Sequence, residues 1–300
     1  MCFDHPLPFT AGAMVRISPA VVRPGIHLGV WSHGEKLSIW GTARSLPCLC
    51  LVLEVVAPGL LVIKYRRREG TSKFGNVAVL RGDEIKIVDE RATRLLDDPP
   101  ILTSLLSFNT GMLLRDSGMV LAQLAVSMRE HGRGGALLVV PAENHSWRES
   151  VVWPIRYLIR PPMDEIGARM RGVPDEESEA AQQEALRRAI DAVAGLTAVD
   201  GATVIGSSFE VLAFGVKLRP SKRGTPISRV ILTEPIEGNT PVMVDPTDLG
   251  GTRHLSAAQF VHDQRDTLAL VASQDGPFTV FVWSPSEGAV RAHQIETLLL

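Results

Sequence analysis

Hydrophobic and polar positions change rhythm partway along the chain. Up to residue 96 the apolar residues fall in short alternating or β-branched runs: "GIHLGVW", "KLSIWGT", "CLCLVLEVV", "LLVIKYRRR", "NVAVL" and "EIKIVD". Glycine, proline or charged turns separate them, which is the pattern of strands joined by tight connections. No long helical stripe is legible there, so residues 1–96 are expected to form a β-rich N-terminal domain. In "ERATRLLDDPP" (90–100), Asp97, Asp98, Pro99 and Pro100 stop any helix. Residues 97–114 are therefore expected to be a linker or helical connection.

Beyond that point helical and strand patterns alternate. In "SGMVLAQLAVSMREHG" (117–132) Val120, Leu121, Leu124 and Met128 form a helical stripe, and Gly132 is placed as a stop. "GGALLVVP" is a continuous apolar run, as in a strand covered on both faces. Residues 174–196 predict the clearest helix, with Asp175 as its cap and Leu186, Ile190 and Val193 on one face. "DGATVIG" and "FEVLAFGVKL" read as two strands around a Gly206-Ser207 turn. "RVILTEP", "PVMVDP", "TLALVAS" and "FTVFVWSP" add further strands, and "GGTRHLSAAQF" (250–260) opens a helix. The expected class is α/β (α+β overall), with a mixed C-terminal sheet flanked by helices over 115–300 after the β-rich domain.

Composition narrows the partners. The 300 residues are 45% hydrophobic and 21% charged, with 31 basic and 33 acidic side chains and a formal net charge of -2. No global field favours nucleic acid or an anionic membrane, so any anion site must be local. The cysteines are Cys2, Cys48 and Cys50. An odd count with a close C-x-C pair is a poor disulfide framework, and alternation predicts Cys48 and Cys50 buried on one strand face. The most apolar stretch, 47–65, is broken by Glu54, Pro58 and Lys64, too polar to span a bilayer. "MCFDHPLPF" has no secretory pattern, and a cytoplasmic location is the expectation.

Candidate chemistry reduces to two stretches. There is no HExxH, G-x-S-x-G or G-x-G-x-x-G; "GATVIGSS" has P-loop glycine spacing but carries Ser207 where the lysine belongs. In "VDGAT", Asp200 precedes a glycine at a strand start, where a carboxylate suits Mg²⁺ or Mn²⁺ and the proton of a hydroxyl. An ordinary Asp-Gly turn is the alternative. In "GGTRHLSAAQF", two glycines and Arg253 stand at a helix start, whose free N–H groups and fork-shaped cation suit phosphate. A glycine-rich turn with a capping threonine is the alternative there. "VKLRPSKR" brings Lys217, Arg219, Lys222 and Arg223 together as phosphate contacts or as a solvated loop. His33 and His145 have no partners at metal-ligand spacing, so surface or capping roles are expected.

The ordered set "DGA", "GTRH", a helix, then "ALVAS" resembles the diadenylate cyclase domain over about residues 115–293. "MREHGRGGALLVV", the "DGATVI…FEVLAFGVKL" pair and the S-x-x-G turn at 273–276 belong to the same likeness. The resemblance implies a mixed seven-stranded sheet flanked by helices. It also implies two subunits meeting face to face, each with ATP and Mg²⁺ or Mn²⁺. Each 3′-hydroxyl then attacks the other α-phosphate, giving cyclic di-AMP and two pyrophosphates. Carried onto this sequence, Asp200 holds metal beside the hydroxyl and Thr252, Arg253 and His254 meet phosphates. Gly201, Ala202, Gly251 and Ser273 line the nucleotide, and Arg219 and Arg223 are further phosphate candidates. Two departures stand out: Leu255 replaces the cyclases' third cation, and Gln274 follows Ser273, with an acid only at Asp275. Loss of one cation from a phosphate clamp costs on the order of a hundredfold in rate.

The whole chain also resembles DACNV, a probable sensor domain related to those cyclases. "RPGIHLGVWSHGEKLSIWGT" and "LCLVLEVVAPGLLVIKYRRR" stand for its β-rich module. This implies a sensor that binds an adenine nucleotide or cyclic dinucleotide with little or no turnover. An active cyclase, with Arg219 or Arg223 replacing the missing cation, and a scaffold with a vestigial site are the alternatives. A homodimer and an effector protein are the implied partners.

Overall fold

The alternating runs at the head of the chain pair into antiparallel sheets, and the later ones into one large mixed sheet. The computed structural model describes residues 1–23, 25–47, 49–66, 74–89, 117–142, 145–172, 179–222, 224–274 and 276–300. The expected linker 97–114, Cys48, the Asp175 cap, Arg223 and Asp275 lie outside the described residues.

β1 (Cys2–Pro8), β3 (Lys36–Ala43) and β2 (His27–His33) form a three-stranded sheet in that order. Its buried centre is Ile39. A short helix, α1 (Ala11–Ile17), begins where the Thr10 hydroxyl accepts from the Ala13 N–H. β4 (Leu51–Ala57), β5 (Leu60–Arg66), β6 (Phe74–Arg81) and β7 (Glu84–Ile87) form a separate four-stranded sheet. Cys50 precedes β4 and is half-buried, so the expectation that it lies on a strand face is corrected.

The described chain divides into two compact units: Met1–Val52 with Tyr65–Ser72, and Leu53–Lys64 with Lys73–Leu300. That partition differs from a boundary at residue 97, and long-range contacts are the reason. Asn76 Nδ2 donates to Thr297 O at 2.9 Å, and Lys86 Nζ meets Glu234 Oε1 at 2.8 Å. Val88 bridges Ile236, while Val62 and Val79 pack with Leu300.

The larger unit is organised by a nine-stranded sheet. Its members are β8 (Gly135–Val140), β9 (Tyr157–Met163), β10 (Ala202–Gly206), β11 (Val211–Val216), β12 (Val230–Thr233), β13 (Val242–Val244), β14 (Leu268–Ala272), β15 (Thr279–Ser284) and β16 (Ala289–Gln294). The order is β13-β12-β16-β15-β14-β8-β10-β11-β9, parallel at β8–β10 and β12–β16 and antiparallel elsewhere. The expected mixed sheet is present, with nine strands rather than seven. α2 (Ser117–Glu130) and α4 (Glu179–Leu196) share one apolar cluster with Leu137 and Val139 of β8. α5 (Thr252–Asp263) shares another with Ala136, Leu138 and Val140, so β8 alternates between two covered faces. That is why "GALLVV" carries no polar position. Two further helices, α3 (Glu165–Arg171) and α6 (Glu296–Leu299), are short. Among the described residues no helix is long and apolar enough to cross a membrane.

Two strands run against their local sequence. β9 contains Pro161 and Pro162 and lies at the sheet edge, where a missing N–H breaks no ladder. β16 carries Arg291 and His293 yet lies between β15 and β12, with both side chains buried. Thr233 Oγ1 meets His293 Nδ1 at 2.7 Å and Glu287 accepts from Arg291 Nε at 2.6 Å, which makes burial of those polar groups tolerable.

Candidate functional site

Strand register gathers the candidate residues on one edge of the large sheet. Ala202 pairs with both Ala136 and Val216, and Ala272 pairs with Gly135. The residues just outside those pairs are Gly134, Asp200 and Gly201, Lys217, and Ser273 with Gln274. They therefore share a border although they are remote in sequence. The N-terminus of α5 reaches the same border. A Cβ on Gly134 would stand 3.0 Å from Arg253 Nη1 and 3.3 Å from Ala272 O, so the guanidinium lies over the bare Gly134 backbone. Gly134 itself has φ of +67°, a conformation that favours glycine.

The electrostatics follow from this placement. Asp200 Oδ2 accepts a hydrogen bond from Lys217 Nζ at 2.5 Å. That bond and the Lys217 charge, with a further contribution from Arg253, hold the Asp200 carboxyl below the ordinary carboxylate range. Asp200 and Lys217 side chains are 86% and 54% exposed, so both remain within reach of a ligand. The edge thus sets one carboxylate against two cations.

Lys217 is the residue that sequence spacing did not single out, because it was one basic residue among four. The signal lay in the strand pair: if β10 and β11 are adjacent, a basic residue after β11 faces the residues before β10. Arg219, a phosphate candidate, instead donates its Nε to Val151 O at 2.8 Å. Thr252 is exposed on the first turn of α5, and Gly251, not Thr252, takes the N-cap position. Space is open where a Cβ on Gly251 would sit. Ser273 is half-buried directly after β14.

His254 is placed differently from Arg253. It is 2% exposed, its ring meets Phe281 edge-on at 6.1 Å, and its Nε2 has no hydrogen-bond partner among the described residues. Burial pushes its pKa down, disfavouring the charged ring. It supports the helix start from beneath and does not join the open edge. Leu255 is half-buried, without a charge to offer.

Gly201 was expected to let a ligand lie on the backbone. Its φ is +117°, and a Cβ there would come within 2.6 Å of the Gly215 carbonyl carbon. The close approach is by β11 itself. Gly201→Ala is accordingly expected to destabilise the larger unit by about 2 kcal/mol, read as a lowered urea midpoint.

An open cleft of ≈ 560 Å³ lies at the far end of α5, lined by residues that include Ser146, Glu149, Asp263 and Arg265. Its buried Asp263 is satisfied by the Ser221 N–H and Gln259. His33 is exposed at the end of β2, and His145 precedes the 3₁₀ turn at Ser146–Ser150.

Residues 1–44, which span β1 to β3, match the family model described as "Probable sensor domain DACNV". No curated protein matches the chain. A solved structure described as the hypothetical membrane spanning protein from Bacillus cereus is similar at 13% identity. That likeness covers 64% of this chain and 69% of that one, with a TM-score of 0.35.

Proposed function

We propose that the protein is a nucleotide sensor whose diadenylate-cyclase-like half holds an adenine nucleotide or cyclic dinucleotide at the edge described above, with little or no turnover. The observation that carries this reading is the convergence of Arg253, Lys217 and Asp200 at one sheet border, with open space at Gly251 where the helix begins. Two donors of positive charge and bare main chain are what a phosphate group requires. The match of residues 1–44 to a sensor domain is compatible with the role. A face-to-face homodimer and an effector protein that reads the bound state complete the proposal.

Turnover asks for more than binding. Charge spreading over phosphoryl oxygens must be met by several cations positioned in advance. Leu255 supplies none, and Arg219 Nε is held by Val151 O. On this reading Arg219 does not replace the missing cation, and Arg223 lies outside the described residues.

The test pairs calorimetry with a product assay. The protein is titrated with ATP and with cyclic di-AMP, and incubated with labelled ATP and Mn²⁺. Binding without dinucleotide product is expected, and Arg253→Ala should weaken it about 10–100-fold, the scale of a charged hydrogen bond removed from a phosphate. Dinucleotide product that vanishes in Asp200→Asn would establish a working cyclase instead. Neither product nor heat would leave an interaction scaffold with a vestigial site.

A further inference from the structure

The resemblance gives Asp200 a divalent cation, and the residues around it do not suit one. Mg²⁺ and Mn²⁺ take about six oxygen ligands, of which the protein usually gives one or two free carboxylates and water or substrate phosphate the rest. Asp200 Oδ2 is already engaged by Lys217 Nζ at 2.5 Å. Among the described residues no three His, Cys, Asp or Glu side chains converge in a metal-holding group. Arg253 extends over Gly134 at the same border, so an incoming dication would meet two positive groups for one carboxylate. The pairing follows from register, since Val216 is opposite Ala202 and Lys217 follows it directly.

Resting on the nucleotide reading above, we propose that the Lys217 ammonium stands where a divalent cation would, and that this edge takes a nucleotide phosphodiester without metal. Lys217 and Arg253 against Asp200 leave a single excess positive charge. That balances the one negative charge of a phosphodiester, whereas a triphosphate brings several charges together with its own Mg²⁺. Asp200 then acts as a positioning residue that holds Lys217 at the border and competes with the ligand for it.

The sign of one substitution separates this from metal ligation. Asp200→Asn releases Lys217 and removes a negative charge beside the ligand, so cyclic di-AMP should bind equally or more tightly. A metal-ligating Asp200 would give a loss. Calorimetry with cyclic di-AMP in EDTA and in Mn²⁺ should return affinities within about twofold of each other, and Lys217→Met should weaken binding about tenfold in EDTA. ATP should bind more weakly than cyclic di-AMP in both buffers. In parallel, electron paramagnetic resonance of Mn²⁺ with the unliganded protein should show no site tighter than about 1 mM, the range of loose cation sites.

Loss of about tenfold or more on chelation, or abolished binding in Asp200→Asn, overturns the metal-free proposal and leaves nucleotide binding standing. A tight Mn²⁺ site in the unliganded protein overturns it whatever the nucleotide does. No heat with either nucleotide in either buffer overturns the nucleotide reading and this proposal together.

Discussion

Phe281→Ala should lower the unfolding free energy of the larger unit by about 3–5 kcal/mol, the cost of emptying a buried aromatic position. Phe281 is 0% exposed in the middle of β15, where it pairs with Ala269 and Ala292 on the flanking strands. Both neighbours are alanines, and neither is large enough to collapse into the space. The ring shares its cluster with Ala257, Phe260 and Val261 of α5. Against a total stability of about 5–15 kcal/mol for a domain, this is a large share. The loss reaches the candidate site as well, because His254 rests edge-on against the same ring. Urea unfolding followed by far-ultraviolet circular dichroism measures the first effect, with Phe281→Leu as a milder control near 1 kcal/mol. A Phe281→Ala cost below about 1 kcal/mol would show that β15 is not packed as described.

The second large effect is acid lability. His293 is fully buried in β16, and burial, with the nearby Arg291 charge, pushes its pKa from 6.5 to about 3. A histidine depressed in the folded state binds its proton more readily once unfolded, so lowering the pH favours unfolding. Stability is complete above pH 6.5, falls as the pH drops below it, and stops falling through this group near pH 3. Each pH unit in that window removes about 1.4 kcal/mol per histidine, about 3–5 kcal/mol in all for His293. His254 is depressed by burial in the same direction and adds to the fall. Ordinary carboxylates titrate near pH 4, so the interval from 6.5 to 4.5 isolates the histidines. Urea midpoints measured across that interval should decline in the native protein, and much less in His293→Gln. An equal slope in the variant would assign the acid lability elsewhere.

The geometry of the candidate edge explains which parts of it were legible in the sequence. Glycine before an apolar run, Asp-Gly after a long helix and a basic residue at a helix start each carry a local signature. Those signatures singled out Asp200 ahead of a strand and Arg253 at the start of a helix. They did not separate Arg253, which lies over Gly134 at the border, from its neighbour His254, which lies under the helix. One step along a helix turns a side chain by roughly a quarter turn, and what lies beneath depends on β15.

Local periodicity by itself determined the α2 and α4 helices and the doubly covered strand β8, because a 3.6-residue stripe or an unbroken apolar run has few other uses. Composition by itself pointed to a local anion site, since the acidic and basic totals nearly cancel. Tertiary structure alone decided the approach of Arg253 to Gly134, the burial of His254 and the use of "AVRAHQ" as an interior strand. It likewise decided that β6 and β7 belong with the C-terminal half of the chain. Each of these depends on which strands become neighbours across the sheet. Neighbours far apart in sequence are chosen by the energy of the whole packed sheet and leave no mark in any one segment's periodicity.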